Sequence, residues 1–154
     1  MLDVLNLRVP AALATVNEDA SIHLTPVWYL FEDGRLFVET AASTRKARNV
    51  EARPSASLMV DDRRPGATRW VLATGRAELI RGDRSRELNQ RLLRRYLTEA
   101  GMETMGRFWT SIDDVTIALT PESWKSWDAR ALVDALREQG TAPKAGEQWL
   151  LPPA

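Results

Sequence analysis

The stretch "SIHLTPVWYLFEDGRLFVETAASTRKARN", Ser21 to Asn49, decides how the chain is read. Its first part, Ser21 to Phe31, alternates apolar and polar residues in the two-residue rhythm of a half-buried strand. Glu32-Asp33-Gly34 follows, and Asp and Gly accept the positive φ of a tight hairpin turn at little cost. "RLFVET", Arg35 to Thr40, then returns antiparallel. After the small residues Ala41 and Ala42, Ser43 or Thr44 is placed to cap a short helix whose first turn carries Thr44, Arg45 and Lys46. Free backbone N–H groups and the positive dipole end meet there, and basic side chains at that end oppose the dipole unless an anion lies nearby. Such a turn is suited to phosphate. Small neighbours let a ligand approach, the Thr44 hydroxyl offers a hydrogen bond, and Arg45 and Lys46 add charge-assisted bonds, with Arg48 and Asn49 in the same or the next turn.

Outward from this stretch the pattern stays β-rich. Leu2 to Leu7 reads as a short amphipathic helix ended by Pro10, and "AALATVN", Ala11 to Asn17, as a strand turning at Glu18-Asp19-Ala20. "SASLMVDD" (Ser55 to Asp62) and "TRWVLATGRAELIRG" (Thr68 to Gly82) are further strands, with Gly75 marking a bulge or bend. "DRSRELNQRLLRRYLTEAG" is a helix with Leu88, Leu92, Leu93, Tyr96 and Leu97 on one face, stopped by Gly101. A sixth strand runs from Val115 to Thr120, followed by a Trp-rich turn or short strand. Strands this close in sequence, with few helices between them, predict a mainly β, six-stranded antiparallel barrel with flanking helices rather than a doubly wound parallel sheet. One domain is expected over residues 1–154, its core spanning about 11–128 and its tail 129–154.

Composition narrows the chemistry. Lys plus Arg number 21 and Asp plus Glu 21, so no positive field marks the chain as a nucleic-acid binder. The absence of cysteine excludes disulfides, thiolate catalysis and cysteine-ligated metals, and the single His23 rules out a histidine cage within one chain. No segment approaches the roughly 18 apolar residues that span a bilayer, and no basic leader precedes an apolar run; no membrane partner and a cytoplasmic location are expected.

In this order, "TPVWYLFEDGRLFVET" with Thr40 and Thr44-Arg45-Lys46, then "RPSASLMVDD", "ATGRAEL" and "LTPESWKSWD", the sequence resembles the flavin-binding split barrels of the pyridoxamine 5'-phosphate oxidase-like superfamily from about Ala11 to Asp128. The resemblance implies that Thr40, Thr44, Arg45 and Lys46 hold the phosphate and ribityl chain of the cofactor, and Ala41, Ser43 and Asn49 of the same turn are further candidate cofactor contacts. It implies that Thr25, Pro26, Val27 and Trp28 lie along the ring. It also implies a homodimer with two cofactor sites at the subunit interface. Six tryptophans suit such an interface, and Trp28 and Trp127 are candidate substrate contacts, with Trp70, Trp109 and Trp124 further candidates from the partner chain. His23 shares a strand face with Thr25 and Val27. It is read as a strand residue rather than a base, because hydride transfer by a flavin needs no dedicated side-chain base.

Departures sharpen the expectation. The vitamin-processing oxidases carry an arginine and a lysine on the strand matching "TPVWYL", where Thr25 and Leu30 stand here, and "DARALVDALREQG" lacks their basic substrate motif. The chain is more similar to small reductases that use the deazaflavin coenzyme F-420, some of which bind FMN. Both cofactors present a ring, a ribityl chain and a phosphate; the deazaflavin adds an anionic tail that Arg48, Arg53 and Arg76 are candidates to meet. The function implied is hydride transfer to or from a small conjugated organic substrate. A non-catalytic carrier of the same fold and a plain interaction barrel stand as alternatives.

Overall fold

The computed structural model describes residues 2–62, 68–109 and 113–141. In chain order its elements are α1 (Leu2–Leu5), β1 (Ala11–Val16), β2 (Ile22–Val27), β3 (Leu30–Glu32), β4 (Arg35–Ala41), α2 (Arg45–Ala52), β5 (Ser55–Asp62), β6 (Arg69–Ile80), α3 (Gly82–Tyr96), α4 (Glu99–Trp109), β7 (Asp114–Asp128) and α5 (Ala129–Glu138).

All seven strands form one sheet in the order β2-β1-β5-β6-β7-β4-β3, every neighbouring pair antiparallel. The two edge strands, β2 and β3, are joined by only Trp28 and Tyr29. Laid flat, seven strands would put those edges about 29 Å apart, whereas three backbone steps reach about 10 Å. The sheet must therefore curl until its edges nearly meet. This is the split barrel that the sequence predicts, with seven strands rather than six. The difference lies in Ser21 to Phe31, read as one strand. Pro26 has no N–H to donate, and the Tyr29 N–H goes to the Tyr96 hydroxyl (3.3 Å), so pairing lapses between β2 and β3.

Alternation fills the barrel. Leu13 on β1, Leu58 and Val60 on β5, Val71 and Ala73 on β6, Ile117 and Leu119 on β7, and Leu36 and Val38 on β4 all point inward and are buried. The first half of β7 is buried on both faces, because α3 packs outside it: Leu88 meets Phe37 and Ala118 there. Beside them Ser85, Asn89 and Thr116 form a buried network, with Asn89 Nδ2 also donating to Asp114 (2.6 Å), which seats α3 on the strand in one register.

Gly75 is a bulge, as the sequence predicts. The β6–β7 register shifts at Thr74/Gly75, and a Cβ on Gly75 would lie 2.2 Å from the Thr120 carbonyl oxygen. Asp33 and Gly34 turn with φ of 49° and 75°, as a tight hairpin requires.

The helix expected to run to Gly101 ends at Tyr96. Gly101 instead belongs to the first turn of α4, where its N–H donates to the Thr98 hydroxyl (3.2 Å). The Trp-rich segment is no separate strand but the second half of β7, and the tail begins with α5, which buries none of its residues.

Candidate functional site

Strand β4 delivers the chain to the start of α2, and the loop between them is tied from within. Thr44 is the N-cap: its Oγ1 accepts from the Ala47 N–H (3.4 Å) and its carbonyl accepts from Arg48 (3.1 Å). The Thr44 hydroxyl donates its one proton to the Ala41 carbonyl (2.8 Å), so in the 3.0 Å contact with Thr40 it is Thr40 that donates. Both hydroxyls thus shape the loop. The backbone amides of Arg45 and Lys46 precede the groups engaged by the cap and are the ones that face outward for an anion.

Lys46 points from α2 into a cleft of about 310 Å³ lined also by Pro10, Pro26, Val27, Trp28 and Glu39. Three of the four residues expected along a cofactor ring therefore meet the lysine expected at its phosphate. Removal from water lowers the Lys46 pKa below the ordinary lysine value, opposed by the nearby Glu39 carboxylate. Trp28 is half-buried, and its indole is stacked on Tyr96 with 5.0 Å between ring centroids and 3° between planes.

Pro10 and Pro26 also border a second, larger cleft of about 800 Å³, lined by Val9, Ala12, Leu24, Met59 and Thr25 among others. It is mostly apolar. Thr25, the fourth ring-strand residue, faces inward opposite Leu13, and its Oγ1 is buried with no hydrogen-bond partner. An orphaned hydroxyl costs about 1–3 kcal/mol unless a ligand atom meets it. Two adjoining clefts in the size range of ligand sites, one mostly apolar and the other holding a cation beside an amide-rich helix start, fit a ring-and-phosphate cofactor.

The remaining predicted residues separate. Asn49 is buried and donates to Thr15 Oγ1 (3.1 Å) and Asn17 Oδ1 (2.9 Å), anchoring α2 to β1. Ser43 and Arg45 are exposed at the helix start. Arg45, Arg48, Asn49 and Ala52 share the α2 face away from Lys46, and with Asn17, Glu18 and Arg53 they line a third groove of about 500 Å³. Three arginines face one carboxylate there, whereas Arg76 stands apart on β6.

Trp127 lies opposite Trp70 across the β6–β7 ladder and is 43% exposed; neither residue lines the two clefts around Pro26. Trp124 turns inward and meets Phe31 edge-on. The Trp109 side chain lies outside the described residues. His23 pairs with Thr15 on the inner face of β2.

Sequence reading missed Glu39, Pro10 and Tyr96. Glu39 had a signal, since it immediately precedes Thr40 on β4. Tyr96 had none, because its site contact depends on where α3 docks.

A curled antiparallel sheet, split at one strand and bordered by a capped basic helix, is the architecture of the flavin-binding split barrels. The chain matches the family described as pyridoxamine 5'-phosphate oxidase over residues 1–128, and it belongs to that family. Among solved structures it is similar to a conserved hypothetical protein of Mycobacterium tuberculosis (27% identity, 84% of this chain and 83% of that one covered, TM-score 0.71). It also shares its fold with an F420 reductase (23% identity, 80% and 94% covered, TM-score 0.63). A heme storage protein of Vibrio cholerae shares the fold as well (18% identity, 82% and 90% covered, TM-score 0.65). No curated protein matches the chain significantly. Among the described residues, no helix is long and apolar enough to cross a membrane.

Proposed function

We propose that this chain is a flavin-type cofactor-dependent oxidoreductase that transfers a hydride to or from a small conjugated organic substrate. The observation that carries the reading is the convergence of Pro26, Val27 and Trp28 with Lys46 around one cleft at the amide-rich start of α2. When bound, the cofactor ring supplies the redox chemistry. The Lys46 ammonium and the backbone amides of Arg45 and Lys46 bind its phosphate. The β2 end and Trp28 orient the ring, and the apolar cleft of Val9, Ala12, Leu24 and Met59 excludes water and takes the substrate.

Coenzyme F-420 is favoured over FMN by the groove of Arg45, Arg48 and Arg53, an oligocationic surface next to the phosphate turn that an anionic tail would use and FMN would not. The working unit is read as a homodimer. Ile22 and Leu24 are 62% and 63% exposed, and the ladder continues their outward face through Ala12, Met59 and Leu72 to Trp70 and Trp127, an apolar band interrupted by Asp61 and Lys125 and large for a lone chain. A second copy covering that band brings Trp127 toward the partner's cleft.

Titration of the purified chain with FMN and with F-420, followed by absorbance and fluorescence, tests the reading. It predicts saturable binding, tighter for the deazaflavin, and a loss in Arg48→Glu/Arg53→Glu that falls on F-420 alone. Failure of both to bind contradicts it. The fold of the heme storage protein favours a second reading, a carrier. Reduced cofactor mixed with enone or quinone acceptors separates the two: a carrier leaves the oxidation rate at its uncatalysed value.

A further inference from the structure

We propose that Tyr96, at the C-terminal end of α3, is a positioning residue for the candidate cofactor cleft, setting the Trp28 indole as one of its walls. The inference rests on the cofactor reading of that cleft and extends it to a helix that does not line it.

Trp28 and Tyr29 form the whole connection between the sheet's two edges, and neither belongs to a strand. Their backbone must be held by other groups. Tyr96 holds that of Tyr29: its hydroxyl oxygen accepts from the Tyr29 N–H (3.3 Å) and lies 3.2 Å from the Tyr29 carbonyl and 3.3 Å from that of Val9, either of which accepts its proton. The Tyr96 ring is the surface on which Trp28 stacks, nearly parallel. Arg95 completes the assembly. Its guanidinium carbon lies 5.8 Å from the Tyr96 centroid and 5.6 Å from that of Tyr29, and its Nη2 donates to the Leu7 carbonyl (2.7 Å). The two linker residues then part company. Tyr29 is fully buried in the barrel, while Trp28 stays half-buried at the cleft beside Lys46 and Pro26. A tryptophan kept at a cleft in one orientation spares the ligand the cost of ordering it.

The test combines cofactor titration with fluorine NMR of the chain labelled with fluorotryptophan, the Trp28 resonance being assigned by its loss in Trp28→Leu. Tyr96→Leu, which removes the stack, is expected to weaken binding of the tighter cofactor by about three- to tenfold, the range of a lost aromatic pair. It should also shift or broaden the Trp28 resonance. Tyr96→Phe, which keeps the ring, should recover most of the affinity and the resonance. In a Trp28→Leu background, Tyr96→Leu should change affinity no further. An unmoved Trp28 resonance in Tyr96→Leu, or the same affinity loss with and without Trp28, overturns the proposal. A wild-type chain that binds neither cofactor overturns the cofactor reading, and the fluorine spectra then still decide whether Tyr96 fixes Trp28.

Discussion

Two residues show how far single positions control this molecule. Lys46 sits half-withdrawn from water, and that withdrawal depresses its pKa despite Glu39 nearby. Because the protonated form binds an anion, cofactor affinity should begin to fall at a pH below that at which an ordinary lysine deprotonates. Affinity measured up the alkaline range checks this. A decline that starts only where free lysine titrates places the ammonium elsewhere. Glu39→Gln removes the opposing carboxylate and should move the decline to lower pH still. Gly75 is constrained by space, since its missing Cβ is what lets the Thr120 carbonyl approach. Gly75→Ala should destabilise the fold by about 1–3 kcal/mol, the scale of forced overpacking with a backbone shift, measured by urea denaturation. A change within about 0.5 kcal/mol, typical of a neutral site, contradicts the bulge assignment.

Elements are joined by a few buried polar contacts. Arg69 on β6 is 8% exposed and is held by Asp62 on β5 (3.1 Å) and by Asp3 on α1, so one guanidinium ties the N-terminal helix to the sheet. Asp62→Ala leaves that cation without its one buried carboxylate, and a loss of about 3 kcal/mol is expected in denaturant unfolding. Tyr29 makes a second tie, donating its hydroxyl proton toward the Leu5 and Leu7 carbonyls (2.9 and 3.0 Å), and burial raises its pKa to about 12. Unfolded, the phenol titrates near 10, so its contribution to stability is complete below about pH 10 and is lost as the pH rises toward 12, on the order of 2 kcal/mol in all. Tyr29→Phe should flatten that alkaline loss in a stability–pH profile; an unchanged slope rules out the phenol as its source. These ties also explain what was legible in the sequence. Strand alternation, the Asp33-Gly34 turn, the Gly75 bulge and the Thr44 cap are local patterns that neighbouring residues enforce. The break at Trp28–Tyr29 and the stacking partner of Trp28 are set by Tyr96, 67 residues further on. The start of α4 turned on Thr98 capping Gly101, a residue that reads equally well as a helix stop.

At the scale of the whole molecule, the outward apolar residues from Ile22 and Leu24 to Trp127 adjoin the larger, apolar cleft, because Ala12, Leu24 and Met59 belong to both, and that cleft shares Pro10 and Pro26 with the Lys46 cleft. Sedimentation should therefore find a dimer, and Leu24→Lys, at a position 63% exposed in the lone chain, should yield a folded monomer with weakened cofactor binding. A monomeric wild type, or a dimer untouched by that change, refutes this arrangement. Fold class and candidate turn were both readable from Ser21 to Asn49, yet the arrangement of clefts was not, since it arises only when β2, α2 and the Leu7–Pro10 segment close on one another. The most direct measurement is a binding isotherm for F-420 and FMN on the wild-type chain beside Lys46→Ala. The account predicts saturable binding to the wild type and a loss of about 1–3 kcal/mol in the variant, the worth of a charge-assisted hydrogen bond. Equal dissociation constants for the two proteins would contradict it.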